Sequence, residues 1–345
     1  IEREFNIQIP LASLFQMQTI APLASFIEKQ TYVGESTEES WSHLVRLRSA
    51  DVEAVDLETA GMNEKTLFCI HAVGGEVLAY SALARELSSN ISVFGLQAGG
   101  FVGSQSPLSD IGEMADVYVD HIKQASPSGP YYLCGQSMGG LIAIEIARRL
   151  QSDGSAVEAV FLLDTYIPSD KNKVDDVDFI VEKLGSIVNV DRETLNALSP
   201  EERIQFVVDS LISSGVLPAE ISKEELETRV SVFLSHKQAF EQYKMQVYDG
   251  KLIHWCATQV VADGAIKDAA EGVTKDVLRQ TAKASPKDKQ QDTKQGTQPR
   301  AKSDTLWSSF STTLDQRYIN TDHEGVLQGS YAGEIAIVIN KIIKN

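Results

Sequence analysis

The sequence predicts an α/β fold in three layers, with a mainly parallel sheet covered on both faces and a helical insertion. Three observations carry that expectation. Through the first half, short apolar runs alternate with helix-periodic segments, the pattern of strands joined by crossover helices. From Ser169 to Val247 the strand signals vanish and only helical periodicity remains. Strand character then returns at Lys251 and again shortly before a closing helix.

The elements follow in order. Residues 1–30 have helical apolar spacing, clearest in IAPLASFIE, and predict a short hairpin too small to bury a core of its own. It is expected to be the remnant of a preceding domain or a segment docked on the main one. The polar stretch TYVGESTEES, 31–40, reads as a linker, and the main domain is expected over 41–345. HLVRLRSA alternates like a strand, and LFCIHAV, Leu67 to Val73, is an apolar run ending at Gly74 and Gly75. A helix is expected over Tyr80 to Leu87, a strand over Asn90 to Gln97, and a helix over Met114 to Gln124 with Met114, Val117, Tyr118 and Ile122 inward.

YYLCGQSMGGLIAIEIARRL then reads as strand, turn and helix, and a further strand runs from Val157 to Leu163 and stops at Asp164. Within the insertion, two helices open on Ser followed three residues later by Glu, a cap signature. KLIHWCATQV, Lys251 to Val260, is a strand, a weaker one is expected around Tyr318 to Thr321, and YAGEIAIVINKIIK closes the chain as a helix. Between Leu278 and Leu306, residues 279–305 contain no Val, Ile, Leu, Met or aromatic. Lacking apolar side chains to offset the entropy of ordering, this stretch is expected to be a disordered loop.

Length and composition set bounds on function. At 345 residues the chain predicts about two domains' worth of structure, and 43% apolar content is that of a globular protein. Its 48 acids against 31 bases leave a net charge of -17, which repels phosphate backbones and anionic headgroups. No nucleic-acid or membrane partner is therefore expected, and no apolar stretch approaches the length of a membrane span. Cys69, Cys134 and Cys256 are isolated, with no CxxC pair, so neither a disulfide framework nor a metal site is predicted, and a reducing, cytoplasmic setting fits. IEREFNIQIP has no initiator Met and no signal-peptide pattern, which predicts a piece of something larger.

The strongest chemical signal is Gly135-Gln136-Ser137-Met138-Gly139, set between a strand and a helix. A sharp turn there needs small residues for close backbone approach. It lifts Ser137 Oγ above the sheet edge while the helix N-terminus aims unpaired N–H groups at developing negative charge. Met138 N–H is the first expected oxyanion donor. An alcohol attacks poorly without a base, and the base needs an acid behind it to hold its tautomer. Asp164 ends the strand expected beside the nucleophile strand, in the cleft where parallel sheets bind ligands. His323 follows a short strand and precedes the last helix, a loop position from which it reaches the nucleophile.

The other histidines fit less well. His71 lies upstream of the nucleophile, His43 and His121 fall in a surface strand and a surface helix, His236 in the helical insertion, and His254 inside a strand. Asp322 is adjacent to His323, too close in a loop to orient its Nδ1, so Asp164 is preferred. HAVGG supplies the second oxyanion donor, expected as Val73 N–H, with Ala72 an alternative. The same glycine pair lacks the GxGxxG or GxxxxGK context of a nucleotide loop.

With these motifs in place, the chain resembles the thioesterase domains that close nonribosomal peptide and polyketide assembly lines, members of the α/β-hydrolase fold. HAVGG resembles their glycine loop, GQSMGG their GxSxGG elbow, LLDTYIP their acid-bearing strand end and DHEGVL their GxHxxxL histidine loop. The glycine two before that histidine is Thr321 here. The opening residues resemble the tail of a carrier domain, which implies that its phosphopantetheine serine precedes Ile1.

The resemblance implies an upstream acyl or peptidyl carrier as partner and a long acyl or peptidyl substrate delivered on phosphopantetheine. It implies no bound cofactor, transfer of the chain to Ser137, release by water or by an internal nucleophile, and a lid formed by about 169–247. Two other readings stay open from sequence. One is a stand-alone or editing serine hydrolase acting on small esters or misprimed acyl thioesters, and the other a noncatalytic binding module on the same scaffold.

Overall fold

A computed structural model describes residues 42–50, 65–100, 106–168, 175–181, 190, 194–195, 197–215, 217, 221–259, 307, 309–311 and 313–344, with isolated positions 20, 23, 24 and 27. The hairpin expected over 1–30, apart from those four positions, the linker 31–40 and the polar stretch 279–305 lie outside the described residues.

Among the described residues, seven strands form one sheet in the order β1-β3-β2-β4-β5-β6-β7. They are β1 (Leu44–Arg48), β2 (Lys65–Ile70), β3 (Ile91–Leu96), β4 (Tyr131–Gln136), β5 (Val157–Leu163), β6 (Leu252–Ala257) and β7 (Leu314–Ile319). β1 runs antiparallel to β3 and every other pair is parallel. The helices packed on the sheet are α1 (Ser81–Glu86), α2 (Ile111–Ala125), α3 (Met138–Ser152) and α6 (Gly329–Lys344). The insertion between β5 and β6 carries α4 (Pro200–Ser213) and α5 (Lys223–Gln242).

Period-two alternation sorts the strand residues between two cores. Leu67, Cys69, Cys134, Phe161 and Leu163 face α1 and α6, while Phe68, Ile70, Leu133, Val160 and Leu162 face α2 and α3. Burial on both faces explains why these strands read as unbroken apolar runs. The expected three-layer α/β-hydrolase architecture is the one observed. In α2, Ile111, Met114, Ala115, Tyr118 and Ile122 make the buried stripe, Asp110 caps the N-terminus by accepting Glu113 N–H at 3.0 Å, and Val117 is only half-buried. Both insertion helices carry the expected cap, with Ser199 paired to Glu202 and Ser222 to Glu225 in reciprocal capping boxes.

The boundaries moved for identifiable reasons. β2 stops at Ile70 rather than Val73 because Gly75 N–H closes a turn onto Ala72 carbonyl at 2.9 Å. Strand β7 begins at Leu314, ahead of the expected Tyr318; it is the sheet edge, and Asp315 and Arg317 mask its apolar content. The last insertion helix ends at Gln242, and the next residues lead without helix or strand to Tyr248, buried with its N–H on Phe310 carbonyl at 2.9 Å.

Candidate active site

Because β2, β4, β5, β6 and β7 are parallel, their C-terminal ends share one edge of the sheet. β4 is central, and Ser137 follows it immediately as the N-cap of α3. Its backbone holds φ 55° and ψ -126°, a conformation a side-chain-bearing residue rarely adopts. Ser137 N–H donates to Leu163 carbonyl at 2.9 Å, tying the turn to β5. The flanking glycines are sterically required. A Cβ on Gly135 would lie 2.2 Å from Gly139 backbone, and one on Gly139 would lie 2.4 Å from His71 carbonyl oxygen and 2.5 Å from that of Ile70. Small residues thus let the elbow helix press against the loop that follows β2. Met138 N–H opens α3, where backbone donors have no acceptor within the helix.

Asp164 is nearly fully buried and is, among the described residues, the second non-glycine residue with positive φ, at 46°. Its Oδ1 accepts Ala257 N–H at 2.9 Å, and its Oδ2 accepts His323 Nδ1–H at 2.7 Å and the Tyr166 hydroxyl. Burial pushes the carboxyl pKa upward, but the bonds from His323, Tyr166 and Ala257 outweigh it and hold the group below its ordinary value. The Tyr166 ring also lies against the His323 imidazole, with centroids 5.4 Å apart. Asp322 is used elsewhere: its Oδ1 accepts Gly325 N–H at 2.7 Å and shapes the loop.

His323 is half-buried, and Gln136 Nε2 donates to its backbone carbonyl at 2.9 Å. The histidine loop is therefore fastened to the residue preceding Ser137. Thr321 is buried inside this loop, where a Cβ on Gly325 would lie 2.1 Å from its Oγ1. The side chain at Thr321 fits because the glycine lies at Gly325.

The glycine loop after β2 sits against the elbow. Tyr80 donates its hydroxyl to Ile70 carbonyl at 2.7 Å and accepts Gln136 N–H at 2.7 Å, so one phenol joins the ends of β2 and β4. Val73 and Ala72 are half-buried on the loop between them. The structure thus brings Ser137, Asp164, His323, the loop at Ala72 and Val73, and Met138 to one sheet edge. Sequence reasoning passed over Tyr80, Gln136 and Tyr166. Tyr166 lies two residues past the acid, a proximity that offered a signal, whereas the roles of Tyr80 and Gln136 depend on packing between distant segments.

Among the described residues, no group of three or more His, Cys, Asp or Glu could hold a metal ion. Cys69, Cys134 and Cys256 are free and buried. No helix among the described residues is long and apolar enough to cross a membrane.

A family model for the thioesterase domain matches residues 65–343. The chain belongs to the thioesterase family. The thioesterase domain is 33% identical over 160 residues to malpinin synthetase of Mortierella alpina, covering 46% of this chain and 2% of that protein. It is 25% identical over 264 residues to a dimodular nonribosomal peptide synthase of Bacillus subtilis (strain 168), covering 75% of this chain and 10% of that one. The domain thus spans a small fraction of these relatives. In fold it resembles a four-domain nonribosomal peptide synthetase bound to AMP and glycine, with TM-score 0.67 and 21% identity over 99% of this chain and 23% of that one. It also resembles the Vlm2 thioesterase domain, with TM-score 0.55 and 18% identity over 86% of this chain and 96% of that one.

Proposed function

We propose that this thioesterase domain accepts an acyl or peptidyl chain from the phosphopantetheine of a carrier domain onto Ser137 and releases it by hydrolysis or macrocyclisation. The observation that carries the reading is the strained serine at the C-terminal end of β4, preceded by Gln136, which is bonded to the loop of a histidine held by a buried carboxylate. The relatives support the substrate class, since one is named a synthetase and the other a dimodular nonribosomal peptide synthase.

In this scheme Ser137 Oγ attacks the thioester carbonyl as His323 Nε2 takes its proton. Val73 and Met138 N–H groups hold the negative oxygen of the tetrahedral intermediate, and Asp164 stabilises the imidazolium. Collapse breaks the C–S bond, and His323 returns the proton to the departing thiolate. Water or a nucleophile within the chain then attacks the Ser137 ester, with His323 again as base; the ester C–O bond breaks and His323 gives the proton back to Ser137 Oγ. The helical insertion serves as a lid over the acyl chain, and residues 1–30 are the end of the carrier domain.

Incubation with a synthetic peptidyl N-acetylcysteamine thioester tests the proposal. A covalent adduct is expected on Ser137, and Ser137→Ala should abolish both adduct and turnover. Product mass distinguishes the two releases: substrate less the thiol is the cyclic product, and that mass plus water is the acid. Full turnover by Ser137→Ala overturns the scheme.

A further inference from the structure

Three buried histidines, His71, His236 and His254, take no part in that mechanism, and two of them meet. His71 and His236 stack with ring centroids 4.8 Å apart and planes 17° from parallel, although one directly follows β2 and the other lies on α5 of the insertion. Each ring holds one of the two peptide units that flank Val73. His71 Nδ1 lies 2.7 Å from Ala72 carbonyl oxygen, and His236 Nδ1 lies 2.7 Å from Val73 carbonyl oxygen. A carbonyl only accepts, so both Nδ1 atoms carry the proton. His71 Nε2 is then an acceptor, and Tyr118 donates its hydroxyl to it at 2.7 Å. Burial pushes both imidazoles down, His236 to about 4, so the stacked rings are neutral at neutral pH.

The consequence follows from peptide geometry. In a trans peptide the N–H points opposite to the C=O of the same plane. Ala72 carbonyl, held by His71 and by Gly75 N–H at 2.9 Å, therefore fixes the direction of Val73 N–H. Val73 carbonyl, held by His236, fixes the following plane. Two further contacts lie on the same stripe of α5. Arg229 pairs with Glu76 at 2.8 Å, and the Phe233 ring would touch a Cβ on Gly74 at 3.4 Å. Positions 229, 233 and 236 are spaced as one helix face, and they meet Glu76, Gly74 and Val73 in reverse order along the loop.

We propose that His71 and His236 are positioning residues that aim Val73 N–H, and that the oxyanion hole is complete only while α5 lies on the glycine loop. The inference rests on the reading of Val73 as an oxyanion donor to Ser137. It makes the insertion part of the catalytic apparatus: an excursion of α5 withdraws the His236 bond and frees the peptide after Val73, so that Val73 is held on one side only.

The test uses the full 345-residue chain with octanoyl N-acetylcysteamine thioester, together with the rate of Ser137 labelling by an alkyl fluorophosphonate. His236→Phe keeps a stacking ring but lacks the donor, whereas His236→Asn keeps an N–H near the Nδ1 position. The Phe variant is expected to lose about 10-fold or more in kcat and in labelling rate with KM little changed, since removing a whole oxyanion donor costs about 100- to 1000-fold. The Asn variant is expected to recover most of that loss.

Should His236→Phe fail to fold, Tyr118→Phe removes only the hydroxyl on His71 Nε2 and is expected to lower kcat with the same unchanged KM. Wild-type rates in His236→Phe, equal losses in the Phe and Asn variants, or, where His236→Phe does not fold, wild-type rates in Tyr118→Phe overturn the proposal. A wild-type chain that is not labelled at Ser137 instead refutes the nucleophile assignment, so the two failures are distinguishable.

Discussion

Asp164 and His323 lie 159 positions apart in the chain and meet at 2.7 Å, with the carboxylate also accepting Ala257 N–H and the Tyr166 hydroxyl. Three donors converge on one buried carboxylate, so its orientation is determined by β6 and Tyr166 as well as by the imidazole. Asp164→Asn should lower kcat by about 1000- to 10,000-fold by disturbing the tautomer of His323 while leaving the chain folded. Steady-state release and a thermal melt measure the two effects, and turnover within tenfold of wild type would point to another acid.

Gln136 is expected to act on the rate through His323. Gln136→Leu removes the bond to His323 carbonyl and leaves the backbone contact of Gln136 with Tyr80 in place. A lost hydrogen bond worth about 1 kcal/mol corresponds to a kcat lower by about fivefold, with KM near wild type. A change confined to KM would mean that the loop does not need this tether.

Gly139 is expected to tolerate no side chain. Its Cβ would strike the carbonyls of Ile70 and His71, which are backbone atoms and cannot swing away. Gly139→Ala should cost about 1 to 3 kcal/mol of stability and should slow turnover by pushing the glycine loop off the elbow. Denaturant midpoints and kcat are the measurements, and a variant equal to wild type in both would show that the loop and elbow separate freely.

Stability should fall on acidification between about pH 6.5 and 4. Burial of His236 lowers its folded pKa to about 4 from an unfolded value of 6.5, so the unfolded chain binds its proton first as pH drops. The group's contribution is complete above 6.5 and is lost on the way down to 4, about 3 kcal/mol for this buried ring. His71, also lowered by burial and by the neighbouring His236, acts in the same direction. Unfolding free energies from pH 7.5 to 4 measure the slope, and it should be shallower in His236→Asn. A flat profile would show that neither ring stays neutral in the folded chain.

Much of this molecule was legible from local pattern. The elbow stands out because its glycines, serine and flanking periodicities are contiguous, and strand β5 was read with both ends correct because burial on two faces makes it an unbroken apolar run. β7 was placed late because an edge strand with one exposed face has no such run. His71 and His236 were set aside as bases for sound reasons, one upstream of the nucleophile and one in the insertion. Nothing in their spacing shows that they stack.

Local chemistry, then, settles which segments become strands and helices, where the strained serine turn lies, and which acid and histidine follow strand ends. These depend on residues within a few positions of one another. The fastening of the site depends on contacts between segments that only the folded sheet brings together. Gln136 reaches His323 across 187 positions and His236 reaches Val73 across 163. Directional hydrogen bonds of that kind leave no periodic trace in a chain, because each partner alone is an ordinary polar residue.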